Sequence, residues 1–289
     1  MTALSGALGA LSRLPVGRSE SAWDAFRRAP LTFPLAGYVI GVIVASPFLL
    51  TGAPVTALLG IGVPLPTAAV LYLIAVYLVT GIAHVDGLAD LADGAAIHGS
   101  SEERLDVMAD SSTGAAGTLA VSVVVVALAL GALALAGAGP ALSFAVALCA
   151  EVGAKTGMAT LVCFGSAAHE GLGSQLVAGS APRSFVPVVT AAAPVLLLAP
   201  IGGGPALLAT LLTGPAVALV LLIRSHRQLG GVTGDVLGAA NELGRVGGVH
   251  AGVVVWTLFL CVADGVPGSI RVVTPTVRKS PSSRCVEPR

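Results

Sequence analysis

The stretch TLAVSVVVVALALGALALAG, within residues 117–139, holds no charged side chain. A helix needs about 20 apolar residues to cross a bilayer core about 30 Å thick. Similar stretches recur at 34–52, 65–83, 141–164, 185–201, 205–223 and 249–263, seven in all. Their valines do not signal strands. Runs this long, without period-two alternation, read as helices in lipid, where each backbone N–H must be satisfied within its own segment. Pro and Gly punctuate the junctions, as at 201–205, where two helices must turn back on each other. The expected fold is therefore all-α, a polytopic transmembrane helical bundle of about seven spans with acidic and Gly-rich loops on the cytoplasmic side.

Charge supports this and excludes other classes. Only 10% of the residues are charged, against about 25% in soluble domains. Fifteen basic side chains balance fifteen acidic ones, so nothing supports nucleic-acid binding, which calls for a basic patch. Cys149, Cys163, Cys261 and Cys285 form no C-x-x-C pair and have no histidine at zinc spacing. The N-terminus lacks the basic start of a cleavable signal peptide. Arg13, Arg18, Arg27 and Arg28 precede the first span and place that side in the cytoplasm. Segments 84–116, 165–184 and 224–250 then fall on the same side, and the short loops opposite carry no charge. Seven crossings would leave the tail outside, yet it holds Arg271, Arg278, Lys279, Arg284 and Arg289. One stretch is therefore expected to be re-entrant or to cross incompletely. Residues 1–264 read as one membrane domain and 265–289 as a polar, basic, disordered tail. The location is a multi-pass protein of the cell membrane, and a homo-oligomer is compatible with it.

Seven of the fifteen acids crowd between Asp86 and Asp110. On a helix, Asp86, Asp90 and Asp93 stand at i, i+4 and i+7 and share one face. Without a Lys or Arg at helical spacing they repel, which is costly at a membrane boundary unless a cation neutralises them. An oxygen-only donor set favours Mg²⁺ or Mn²⁺ over zinc. Gly87 and Gly94 leave room for a phosphate or a metal-bound water. Asp110, before a Gly-rich turn, is a candidate to close the site, and His84 a candidate general base or phosphate donor. Glu102, Glu103 and Asp106 read as a solvated loop. Gly230, Gly231 and Gly234 around Asp235 resemble a phosphate cradle of backbone N–H groups. Glu151 and Lys155, four apart in one span, read as an ion pair or as a substrate contact. No Walker A, G-x-S-x-G or strand-linked G-x-G-x-x-G occurs.

TGIAHVDGLADLADG at 80–94 and ERLDVMADSSTGAAG at 103–117 resemble the signature region of cobalamin synthase, the adenosylcobinamide-GDP ribazoletransferase family. ALGALSRLPVG at 7–17, APLTFPLAGYVIG at 29–41, AAHEGLG at 167–173 and LGGVTGDVLGAANELG at 229–244 resemble its other motifs in the same order. The resemblance covers residues 3 to 263. It implies a Mg²⁺-dependent transfer in which the 3′-hydroxyl of α-ribazole, or of its 5′-phosphate, attacks the phosphate joined to cobinamide and GMP leaves. Asp86, Asp90 and Asp93 would hold the metal or the diphosphate, with Asp110 a fourth member. Asp235 and its glycines would contact phosphate or the incoming nucleotide, and Arg13 and Glu170 would lie near substrate. Two other membrane transferases hold a Mg²⁺-diphosphate on aspartates. CDP-alcohol phosphotransferases have Arg where Asp90 follows Ala89, and prenyltransferases place Asn before their aspartates, whereas Asn241 stands alone here. An ion-coupled transporter would need acids near the bilayer midplane and inverted repeats, and the sequence suggests neither.

Overall fold

Apolar length decides which helices cross. The computed structural model describes residues 1–201 and 203–263. Two short helices come first, α1 (Thr2–Leu11) and α2 (Glu20–Arg27). Then follow α3 (Thr32–Ala45), prolonged by a 3₁₀ segment to Thr51, the short α4 (Ala53–Leu59) and α5 (Leu65–Thr80). α6 (Ala83–Ala96) leaves α5 at 90°, and α7 (Ser101–Met108) precedes α8 (Ala115–Ala136) and α9 (Pro140–Phe164). α10 (Leu172–Ala178) leads to α11 (Phe185–Ala192), prolonged in 3₁₀ form to Ile201. α12 (Gly204–Leu229) and α13 (Gly234–Ala263) complete the described chain. Among the described residues six segments are long and apolar enough to cross a membrane, and α5 with the bent α6 makes a seventh only when the pair is counted as one span. The all-α polytopic architecture expected from the sequence is the one found. The only extended pairing among the described residues is one isolated bridge. The expected tail, 265–289, lies outside those residues.

α9 is the axle of the bundle, buried without interruption from Ala145 to Cys163. In lipid, helices associate through close backbone packing, which small residues permit. A Cβ at Gly37 of α3 would lie 2.9 Å from the Cα of Val152 in α9. A Cβ at Gly157 would lie 2.6 Å from the carbonyl oxygen of Gly214 in α12, and one at Gly214 would strike the Gly153 carbonyl. Gly248 of α13 rests against Ala150. These glycines are contact points between helices.

The end of the chain corrects the sequence reading. Segment 224–250 is not a loop, because α12 runs to Leu229 and α13 begins at Gly234, leaving four residues between them. The last span starts well before residue 249. Asn241, Glu242 and Arg245 made this stretch look too polar to enter a membrane, yet all three are fully buried. Their partners come from α9, from α6 and from one another. Arg245 pairs through Nε with Glu151 and through Nη1 with Glu242 at 2.6 Å. Lys155 Nζ lies 3.4 Å from Glu151 and donates to Asn241 Oδ1 at 2.6 Å. The ion pair of Glu151 and Lys155 is present, but as part of this larger set. The acids that seemed missing from the membrane interior are there too, with Glu151 near the middle of α9, and two cations neutralise the two carboxylates. Two segments remote in sequence thus hide their charges in each other, which no local pattern reveals.

Removing one member of a buried ion pair leaves the other uncompensated, at a cost of about 3–5 kcal/mol. Arg245→Met is therefore expected to lower the thermal midpoint in detergent sharply. Adding Glu242→Gln, which leaves Glu151 to balance Lys155, should recover most of the loss. A single variant as stable as the native protein contradicts this account of the core.

Candidate functional site at one end of the bundle

Gly81 makes the bend that sets α6 apart from α5. Its φ of +72° lies where side chains are strained, and its N–H still donates to Tyr77 O at 3.0 Å. Arg13 packs on this bend. Its N–H donates to Val79 O at 2.7 Å, and its aliphatic stem lies where a Gly81 side chain would be. The Arg13 side chain itself is exposed.

α6 then lies against the start of α13. A Cβ at Gly87 would lie 2.7 Å from the Asp235 Cα, and one at Gly238 would lie 3.1 Å from the His84 backbone. These two glycines let the helices touch, and the contact brings Asp86 and Asp90 opposite Asp235. Asp86 and Asp235 each sit in the first turn of their helix, where the N-terminal partial positive charge favours anions. Asp86 is exposed, and Asp90 and Asp235 are half-buried. Burial first, then the charges of Asp86, Asp235 and Asp93, push Asp90 up to about 6.

The two later motifs are tied together beside these carboxylates. Val232 N donates to Ser166 O at 2.7 Å and Ala168 N to Val232 O at 3.2 Å. A Cβ at Gly231 would strike the Ser166 carbonyl, and one at Gly173 would lie 2.8 Å from Thr233. His169 thereby comes within electrostatic reach of Asp235, a neighbour that sequence spacing did not suggest. The signal was Gly231 and Gly173, whose missing side chains mark close approach. Gly230, at φ +80°, makes the turn, and Gly234 opens α13, with Thr233 Oγ1 accepting from Val236 N at 3.3 Å. Glu170 is exposed in the same loop, its carbonyl facing His169 Nδ1 at 2.8 Å.

Other expected members are placed differently. Asp93 accepts from Gly114 N at 2.7 Å and from Gly117 N at 2.8 Å, one on each oxygen, and so caps the start of α8. A Cβ at either glycine would meet that carboxylate at 2.5 Å. Asp110 is exposed and accepts from Ser112 N at 2.9 Å and Ser112 Oγ at 2.7 Å, and these bonds hold it below the usual carboxylate range. It is not among the charges that act on Asp90. Glu102, Glu103 and Asp106 are exposed, though on α7 and not in a loop. His84 is buried, its Nδ1 3.1 Å from Asn241 Nδ2. Among the described residues no three acidic, histidine or cysteine groups stand close enough to chelate a metal as they are. The donors around Asp90 are nevertheless all oxygen and mutually repelling, which suits a hard divalent cation.

Arg13, the aspartates of α6, the 167–173 loop and the 229–235 turn, from four regions of the sequence, meet at one end of the bundle. Residues 3–254 match the family model described as Cobalamin-5-phosphate synthase. The chain belongs to the cobalamin-5-phosphate synthase family. It is 46% identical over 261 residues to a Haloquadratum walsbyi protein, covering 89% of this chain and 99% of that one. A Halorubrum lacusprofundi relative is 48% identical over 269 residues, 90% of this chain and 99% of its own. A Methanocella arvoryzae relative is 35% identical over 276 residues, 90% and 98% of the two chains. All three are named adenosylcobinamide-GDP ribazoletransferase. No solved structure matches the chain. Membership of the cobalamin-5-phosphate synthase family sets aside the phosphotransferase, prenyltransferase and transporter readings.

Both oxygens of Asp93 accept, whereas Asn offers one acceptor and would turn its NH2 toward the other N–H. Losing a helix cap costs about 1 kcal/mol. Asp93→Asn and Asp93→Ala should therefore both lower the thermal midpoint. A native midpoint in both variants would mean that the cap does not stabilise the fold.

Proposed function

We propose that this protein is an adenosylcobinamide-GDP ribazoletransferase acting at the carboxylate-lined end of the bundle. The observation that carries this reading is the convergence there of four of the family's motifs, at 7–17, 80–94, 167–173 and 229–244, around facing aspartates from α6 and α13. The 3′-hydroxyl oxygen of α-ribazole, or of its 5′-phosphate, forms a bond to the phosphorus joined to cobinamide. The anhydride bond to GMP breaks, and the hydroxyl proton is lost. Adenosylcobalamin, or its 5′-phosphate, and GMP result.

Asp86, Asp90 and Asp235 would hold Mg²⁺, which when bound draws charge from the departing phosphate. Asp235 takes this place alongside the two α6 aspartates because Asp93 is engaged on α8. The N–H groups at the starts of α6 and α13 face the same region and suit phosphate oxygens. His84 accepts from Asn241 at Nδ1, so its proton sits on Nε2, which suits donation to a phosphate better than taking a proton. Arg13 and Glu170 flank the opening as substrate contacts, Arg13 offering charge to phosphate. Asp110, engaged with Ser112, serves the turn before α8. Arg13, Arg18, Arg27 and Arg28 lie at the site's end of the bundle, and the opposite loops carry no Lys or Arg. This charge bias supports a site on the cytoplasmic face of the cell membrane.

The test is an assay in membranes with adenosylcobinamide-GDP, α-ribazole and Mg²⁺, reading GMP and a cobalamin product. Product formation that is lost in Asp86→Ala and in Asp90→Ala, with both variants still inserted, is expected. A folded native protein that yields no product contradicts the assignment, and active variants contradict the metal site.

The raised Asp90 carboxyl gives a second expectation. A carboxyl raised above its ordinary 3.8 binds more protons folded than unfolded, so the cation-free protein loses stability as pH rises through about 6. Mg²⁺ binds the ionised form. It should therefore raise the thermal midpoint more above that pH than below it, and Asp90→Asn should remove the difference. A Mg²⁺ effect independent of pH would contradict the role of Asp90.

A further inference from the structure

The buried ion set of α9 and α13 does not end within those helices. Asn241 carries it to α6. Its Oδ1 accepts from Lys155 Nζ at 2.6 Å, and its Nδ2 reaches Glu242 Oε1 at 2.9 Å and His84 Nδ1 at 3.1 Å. The orientation of the amide follows from chemistry. Lys155 can only donate and Glu242 can only accept, so the oxygen must face the lysine and the nitrogen the other two. His84 opens α6 two residues before Asp86 and rests on Gly238, with no side chain between the two helices at that point.

We infer that Asn241 is a positioning residue that links the buried Glu151–Arg245–Glu242–Lys155 network to His84 and thereby fixes the start of α6 against α13. The inference rests on the transfer reaction proposed above. The bent α6 carries Asp86 and Asp90, while α13 carries Asp235. The separation of these carboxylates depends on how the two helices are locked together, and the glycines at 87 and 238 allow contact without enforcing it. Asn241 supplies a directional bond where the glycines supply only room. Removing it leaves the pairs of Arg245 with Glu151 and Glu242 in place, so the core survives and the link to α6 is lost.

Three variants test this: Asn241→Leu, which removes both bonds, Asn241→Asp, which keeps the shape but offers Glu242 and His84 an acceptor, and His84→Phe. Loss of such supporting hydrogen bonds costs about 10- to 100-fold in activity. Each variant should lose kcat by that order while KM for α-ribazole stays within about two-fold. In a double-mutant cycle, Asn241→Leu with His84→Phe should fall no further than the worse single variant, because both break one link. A residue that only stabilised the bundle would reduce the amount of folded protein and leave the kcat of the remainder unchanged. Native kcat in folded Asn241→Leu or Asn241→Asp, or multiplicative losses in the cycle, overturns the inference. If Asn241→Leu does not fold, Asn241→Asp decides it.

A readout without turnover separates this claim from the proposed reaction. Spin labels at the exposed positions Ala95 of α6 and Gln228 of α12 should give a narrow distance distribution in the otherwise native chain. Asn241→Asp should broaden or shift it. An unchanged distribution contradicts the positioning role even if the native protein makes no cobalamin product. A broadened one supports it in that case too.

Discussion

The pairing of Glu151 with Arg245 inside the bundle is the interaction on which the rest depends. A lone charge within a membrane is costly, and such residues survive there by facing the protein interior and pairing. Each of the two helices carries one acid and one base, and Arg245 of α13 reaches across to Glu151 of α9, which ties the two helices together. Their union fixes where α13 begins, and hence where Asp235 stands. Small residues along α9 and α12 then bring the remaining crossings in around it. The polar centre is both a constraint on assembly and the reference from which the site is positioned.

At the end of the bundle the logic reverses. Inside, acids and bases are matched; at the boundary Asp86, Asp90 and Asp235 face one another with no basic side chain bonded to them among the described residues. Burial first, and then the like charges brought together by glycine-mediated helix contact, disfavour the ionised state, as the upward shift of Asp90 reflects. A divalent cation with a diphosphate relieves this repulsion. The fold thus stores repulsion at the place where a cation-bound substrate is proposed to bind.

The crossings were legible in the sequence wherever a segment carried no charge, because lipid itself imposes that composition. α8 and most of α3 and α12 needed no knowledge of their neighbours. The first half of α13 was not legible, since Arg245 is neutralised there by Glu151 of α9, about ninety positions away by their numbers, as well as by Glu242. The α6 aspartates were visible as a stripe, but spacing could not tell that Asp93 turns to cap α8 while Asp235 joins Asp86 and Asp90. That division depends on Gly114 and Gly117 on one side and Gly87 on the other. Each is a tertiary contact, whereas in the sequence Gly87 reads as room for a phosphate or a metal-bound water and Gly114 and Gly117 as part of a Gly-rich turn.

The central claim is that α6, the 167–173 loop and the start of α13 surround one cation. Iron-directed cleavage tests it most directly, with Fe²⁺ replacing Mg²⁺ in membranes that hold adenosylcobinamide-GDP, so that radicals made at the ion cut nearby backbone. The account predicts cuts clustered near Asp86 to Asp90, near His169 and near Asp235, all suppressed by excess Mg²⁺ and lost in Asp86→Ala. Cuts confined to α6, or placed at the opposite end of the bundle, would contradict it.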